Sequence, residues 1–100
     1  MHYVTQLVYV RAGHEAMFAE FEDHVLPLLT KYRGELLLRL RPDRGAHIAG
    51  SLDAPYEVHV VRFASRADLD AYAADEERRR WLHLKEQAVE RTIMIEGSGP

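Results

Sequence analysis

The sequence predicts an α+β fold whose elements run β-α-β-β-α-β, forming a four-stranded antiparallel sheet with its helices on one face. Three observations predict it. Apolar residues alternate with period two in four separate stretches. Two intervening stretches change to three- and four-residue steps. Glycine and proline fall at the boundaries between them. A chain of 100 residues is the length of one core, and surface scaling gives roughly 5,800 Å² folded against about 16,700 Å² extended. One domain over residues 1–97 with a flexible tail at 98–100 follows.

Tyr3 to Val10 is rich in β-branched and aromatic residues and is closed by Ala12-Gly13, as a first strand would be. From His14 to about Tyr32, Phe18, Phe21, Val25, Leu28, Leu29 and Tyr32 recur on one helical stripe. Pro27 falls inside that helix, where its ring and missing N–H predict a kink or break, and Gly34 is the stop. Glu35 to Arg41 lies between Gly34 and Pro42 and reads as a second strand, with Leu36, Leu38 and Leu40 sharing a face. Residues 42–55 contain Pro42, Gly45, Gly50 and Pro55 and read as turns around a short extended piece, His47-Ile48-Ala49. Tyr56 to Phe63 resumes strand alternation. Ser65 is placed to cap a helix ending near Ala73 or Ala74. A second helix begins at Asp75-Glu76-Glu77, with Asp75/Arg79 and Glu76/Arg80 as i,i+4 pairs and Trp81, Leu84 and Ala88 as the buried stripe. It ends near Val89 or Glu90, and Thr92 to Glu96 is the last strand.

Composition excludes several function classes. With no cysteine there are no disulfides, thiolate metal sites or cysteine nucleophiles. Thirteen Lys and Arg against sixteen Asp and Glu give a formal charge of −3, without the basic surplus of a nucleic-acid binder. No apolar run has the length of a membrane span, and Met1-His2-Tyr3-Val4 does not open a signal peptide, so a cytoplasmic location is the expectation. The six histidines are scattered without His-x-His or His-Glu-x-x-His spacing, so no metal site is predicted. Gly-rich phosphate cradles and Gly-x-Ser-x-Gly are absent as well.

Alternation assigns Val4, Val8, Val10, Leu36, Leu38, Leu40, Val58, Val60, Ile93 and Ile95, nearly all aliphatic, to the sheet face beneath the helices. The other face then carries Tyr3, Thr5, Leu7, Tyr9, Leu37, Arg39, Glu57, His59, Val61, Phe63, Thr92 and Met94. That mixture is too apolar to face water, so a partner is expected on it, most simply a second copy of the chain.

At this point the chain resembles the dimeric α/β-barrel (ferredoxin-like) superfamily over about residues 3–97. The resemblance rests on Phe21-Glu22-Asp23-His24-Val25-Leu26-Pro27-Leu28-Leu29-Thr30-Lys31-Tyr32-Arg33-Gly34-Glu35, on Val58-His59-Val60-Val61-Arg62-Phe63-Ala64-Ser65 and on the closing Ile93-Met94-Ile95-Glu96-Gly97. It is nearest an uncharacterised branch, distantly similar to antibiotic-biosynthesis monooxygenase-type domains. The resemblance implies a homodimer and a small-molecule pocket between helices and sheet. It also implies chemistry from the superfamily's range: cofactor-independent monooxygenase, isomerase or lyase on an apolar or aromatic compound, or a non-catalytic ligand-binding or stress-related module. The chain contains no Asn, whereas heme-degrading and quinone-forming relatives commonly rely on one, so no catalytic residue transfers by motif.

Among its own residues, His59 is the candidate general base, mid-strand beside Glu57 and opposite Arg39 or Tyr9. The alternative is an interface histidine satisfied by its neighbours. Arg39 is the candidate to orient an anionic ligand, or else an ion-pair partner of Glu57 at the dimer seam. Tyr9 is a candidate hydrogen-bond donor to a substrate carbonyl, with packing as its other reading. Trp81 is read as core filler and His83 as solvated. Whether the chain is an enzyme is left open by these residues, and no cofactor is implied.

Overall fold

The computed structural model describes residues 1–100 and contains four strands, β1 (His2–Val10), β2 (Gly34–Leu40), β3 (Glu57–Phe63) and β4 (Val89–Ser98). Its helices are α1 (Glu15–Val25), α2 (Arg66–Ala73) and α3 (Glu76–Ala88), with a 3₁₀ segment, Leu26–Tyr32, continuing α1. The strands form one antiparallel sheet in the order β2-β3-β1-β4, the split β-α-β-β-α-β arrangement. The Cα extents of 35 × 32 × 16 Å describe a thin two-layer body. Its exposed surface of 6274 Å² exceeds the ~5,800 Å² expected from mass, because one side of the sheet is left uncovered. No helix is long and apolar enough to cross a membrane.

The elements form for the expected local reasons. Pro27 ends the α-helical ladder, and the chain tightens into the 3₁₀ segment from Leu26 onward. That segment closes on Arg33 in the left-handed region (φ 55°), one residue earlier than the predicted stop. Gly34 is instead the first residue of β2, packed so closely that an added Cβ would come 2.8 Å from Phe63 Cε1 and 3.0 Å from the Leu29 carbonyl oxygen. Ser65 caps α2, its hydroxyl accepting from Asp68 N–H and donating to the Asp68 carboxylate. Residues 42–55 contain a 3₁₀ turn, Arg44–Ala46, and no strand at His47-Ile48-Ala49. β4 starts at Val89 directly from α3 and reaches Ser98, which pairs with His2. Gly99 N–H then donates to the Met1 carbonyl, so strand pairing extends past the Glu96 boundary read from the sequence.

Asp75 caps α3, but the surface pair expected with Arg79 does not form. Its buried carboxylate accepts from Arg78 N–H at 2.9 Å, Lys31 Nζ at 3.0 Å and the Tyr32 hydroxyl. These donors hold the carboxyl well below the usual carboxylate range and tie the 3₁₀ segment to the start of α3.

The principal correction concerns the two faces of the sheet. Val4 and Val8 lie beneath the helices as predicted, in two small cores built with Phe18, Phe21, Val25, Leu29, Phe63 and Ala88. Register then places Val61 opposite Val4, His59 opposite Gln6 and Glu57 opposite Val8, so Glu57, His59, Val61 and Phe63 all face the helices. On β4, Thr92, opposite Val8, joins them, and Ile93 and Ile95, opposite Leu7 and Thr5, point to the open side. A bulge between Leu36 and Leu38 inserts one residue into β2. Beyond it Arg39 pairs with His59, while Leu38 and Leu40 turn to the open face beside Val60 and Val58. The open side therefore carries the aliphatic set, with Leu38, Leu40 and Ile95 exposed, and the charged set lies under the helices. The alternation is legible and β1 and Leu36 lie in the predicted layer, but β3, β4 and the part of β2 beyond the bulge are reversed, because the most aliphatic face of those strands is not the inner one.

Candidate functional site

Beneath α1, β3 presents Glu57 and His59, which are 0% and 3% exposed. α1 adds Glu22, 4% exposed, because it belongs to the stripe that buries Phe18, Phe21 and Val25. The β2 bulge delivers Arg39, and Arg41 follows two residues on. Three buried ionisable side chains, Glu22, Glu57 and His59, thus meet inside a domain with very small cores, joined by the part-exposed Arg39 and the exposed Arg41. Burial of so many charges is tolerable only if they compensate one another.

Glu57 is the centre of that compensation. Its Oε2 takes Arg39 Nε at 3.1 Å and shares a hydrogen bond with His59 Nε2, while its Oε1 takes Arg41 Nε at 2.9 Å. Burial alone would raise its pKa; the imidazole and two guanidinium donors outweigh that and lower it to about 2. A permanently ionised carboxylate only accepts, so His59 Nε2 carries the proton in this bond. Phe18 lies nearly parallel to the imidazole, at 14° and 6.3 Å between centroids, and limits its rotation.

Glu22 has the opposite character. Its Oε2 lies 3.6 Å from His59 Nε2, too far for a hydrogen bond, and has no other partner. Desolvation by burial pushes its pKa up to about 7, only partly opposed by the positive field of His59, Arg39 and Arg78. Two carboxyl groups a few ångström apart are therefore driven in opposite directions, one held ionised and one poised to exchange a proton near neutrality.

Glu22 and His59 border a cavity of about 60 Å³ between helices and sheet. Val4, Phe18, Phe21, Val25, Leu29 and Phe63 supply apolar walls, and Gln6, Tyr72, Arg78, Lys85 and Thr92 the remaining polar groups. The Tyr72 hydroxyl donates to the Val25 carbonyl at 3.1 Å, and burial pushes its pKa up to about 12, so it stays neutral.

The structure brings together His59, Glu57 and Arg39 of the four residues singled out from sequence. It places them beneath the helices instead of at a dimer seam. Tyr9 is not with them. It lies on the open side under the 42–55 loop, its hydroxyl donating to the Asp53 carbonyl at 2.7 Å and its ring covered by Arg91 at 4.2 Å. Glu22 and Arg41 were missed. A carboxylate within the apolar stripe of α1 was the available signal for Glu22; Arg41 had none, since its direction depends on the bulge. Donor atoms of Glu22, Glu57 and His59 also come within 4.8 Å of one another, a grouping that no sequence spacing announced. Glu57 is committed to two guanidinium groups, which repel a cation, so the set fits proton chemistry better than metal ligation.

No known protein-family profile matches the sequence, and no curated protein matches it. Solved structures do match in fold. A protein of unknown function from Rhodopseudomonas palustris superposes with a TM-score of 0.82 at 16% identity, over 99% of this chain and 83% of that one. An uncharacterised NIPSNAP domain protein from Burkholderia xenovorans gives 0.72 at 15% identity, over 100% and 95% of the two chains. A dimeric ferredoxin-like protein of unknown function from Jannaschia sp. gives 0.72 at 16%, over 98% of each. The chain thus has a ferredoxin-like α+β fold shared with uncharacterised proteins, some of them dimeric.

Proposed function

We propose that this chain is a homodimeric, cofactor-independent acid–base enzyme of isomerase or lyase type acting on a small, largely apolar compound in the cavity beneath α1. One observation carries the reading: Glu22 is buried and unpartnered at the cavity wall, beside an imidazole locked by an ionised carboxylate. Glu22 takes or gives the substrate proton. His59, fixed by Glu57, which Arg39 and Arg41 hold in turn, is positioned beside Glu22 to orient a polar group of the substrate. Such chemistry moves a proton between carbon and a carboxylate and needs no oxidant or bound cofactor. Among the activities implied by the superfamily resemblance, monooxygenation makes no use of this pair of opposed carboxyl groups.

The dimer supports the reading through the open face. Leu38, Leu40 and Ile95 are 46%, 40% and 58% exposed on a sheet surface that a second copy would cover, and fold neighbours are described as dimeric. Two sheets packed this way would form the α/β barrel that the sequence resembles.

The test begins with a thermal-shift screen of a metabolite collection, followed by mass spectrometry of each hit incubated with the protein in D₂O. Deuterium incorporation or conversion is expected, and Glu22→Gln should slow it by roughly 10²- to 10⁴-fold. Ligands that raise the melting temperature yet return chemically and isotopically unchanged would instead assign the chain to the non-catalytic binding modules.

A further inference from the structure

The same cavity is also lined by two cations of α3. Arg78 and Lys85 are seven residues apart, two turns along one helical face, and both line the cavity. Ion pairs occupy Lys31, Arg33, Arg39, Arg41, Arg62 and Arg66, but neither Arg78 nor Lys85 has a carboxylate within ion-pair distance. The Arg78 guanidinium carbon lies over two aromatic rings, 5.2 Å from the Tyr72 centroid and 5.8 Å from that of Phe21. Its Nε is buried with no acceptor, while its other nitrogens have the Tyr72 hydroxyl beside them and a long 3.5 Å contact from Nη1 to the Ala73 carbonyl. Lys85 is half-buried beside it, its ammonium disfavoured by burial and by the charge of Arg78. The Glu22 carboxyl acts on both cations but makes no ion pair with either, and the guanidinium N–H is left without an acceptor, so an anionic group in the cavity would complete the set.

We propose that the substrate of this site is a small carboxylic acid, its carboxylate taken by Arg78 and Lys85 and its short apolar body directed toward Glu22 and His59. The inference rests on the proposed function for where the ligand lies, and it adds the chemical class. A fork-shaped N–H donor matches a planar two-oxygen anion. The cavity of about 60 Å³ limits the body to a few carbon atoms, and the walls offered by Phe21, Val25 and Leu29 are apolar. Glu22 lines the same cavity and is available to act on a carbon near that carboxylate.

Binding, not turnover, is the test. Sodium propionate, its neutral isostere propionamide and inorganic phosphate are titrated into the ¹⁵N-labelled protein, and the Arg78 Nε–Hε resonance is followed by NMR. Propionate should move that resonance downfield and propionamide should leave it in place. Lys85→Gln, checked for an unchanged fold by circular dichroism, should weaken propionate binding at least fivefold. Arg79→Gln, on the exposed side of α3, should bind propionate as the parent does. The proposal is overturned if propionamide binds as well as propionate, if phosphate alone moves the resonance, or if Lys85→Gln weakens binding by less than fivefold. Failure of propionate to bind removes the substrate class, whereas bound acid with no deuterium exchange in any substrate removes only the proposed reaction.

Discussion

At the scale of single residues, Glu22 and Glu57 show how one buried cluster can contain two opposite carboxyl groups. Each has a consequence for stability against pH. Glu22 binds its proton more tightly when folded, with a pKa of about 7 against 4.5. Its contribution is complete below pH 4.5 and is lost as pH rises through 7, an effect of about 3 kcal/mol. Glu57, lowered from 4.5 to about 2, stabilises above pH 4.5 and loses that contribution as pH falls through 2. The two slopes oppose each other and meet near pH 4.5. In Glu22→Gln the decline between pH 4.5 and 7 should flatten while the acid limb remains, as read by urea unfolding across that range. An unchanged slope would mean that Glu22 does not hold a proton in the folded state. Removing Arg39 acts on the other carboxyl: Arg39→Gln leaves buried Glu57 with one guanidinium fewer, so the acid limb should shift to higher pH.

At the scale of elements, two local devices set the site. The break at Pro27 lets the chain turn through the 3₁₀ segment and enter β2 at Gly34, where the strand passes against Phe63 with no room for a side chain. Gly34→Ala would force the Leu29 carbonyl and the Phe63 ring apart, a loss of about 1–3 kcal/mol expected in a denaturant midpoint. Stability within experimental error of the parent would show that the strand can shift freely. The second device is the bulge between Leu36 and Leu38. Three alternating leucines read as one continuous face, but the extra residue sends Leu38 and Leu40 outward and turns Arg39 toward His59. An apolar strand thereby delivers a charge to the interior.

For the whole molecule, the consequence is a sheet with one polar-cored side under helices and one aliphatic side uncovered. Leu38, Leu40 and Ile95, with Thr5, Leu7, Val58, Val60 and Ile93 around them, form a surface that water disfavours and that a two-fold copy would bury. The double variant Leu38→Asp with Ile95→Lys should sediment as a monomer with an unchanged circular dichroism spectrum. The parent chain should sediment as a dimer at the same concentration. A monomeric parent would remove the dimer from the proposed function while leaving the cavity chemistry intact, because Glu22, Glu57, His59, Arg39 and Arg41 all come from one chain.

Element order, the helix break at Pro27, the Ser65 and Asp75 caps and the excess of apolar surface on the sheet were all determined by the sequence, since each depends on residues close together along the chain. So was the neighbourhood of Glu57 and His59, which strand alternation places side by side, whereas Arg39 reaches them only through the bulge. The tertiary structure decided which face of β3 and β4 the helices cover, that Glu57 and His59 therefore part company with Tyr9, and that Glu22 and Arg41 complete the cluster. The physical reason is that period-two alternation defines two faces without saying which is interior, and one bulge in β2 reverses the answer for half a strand. The usual tie-breaker, putting the most aliphatic face inside, fails because these charges neutralise one another only after α1 and two strands, β2 and β3, have been brought together.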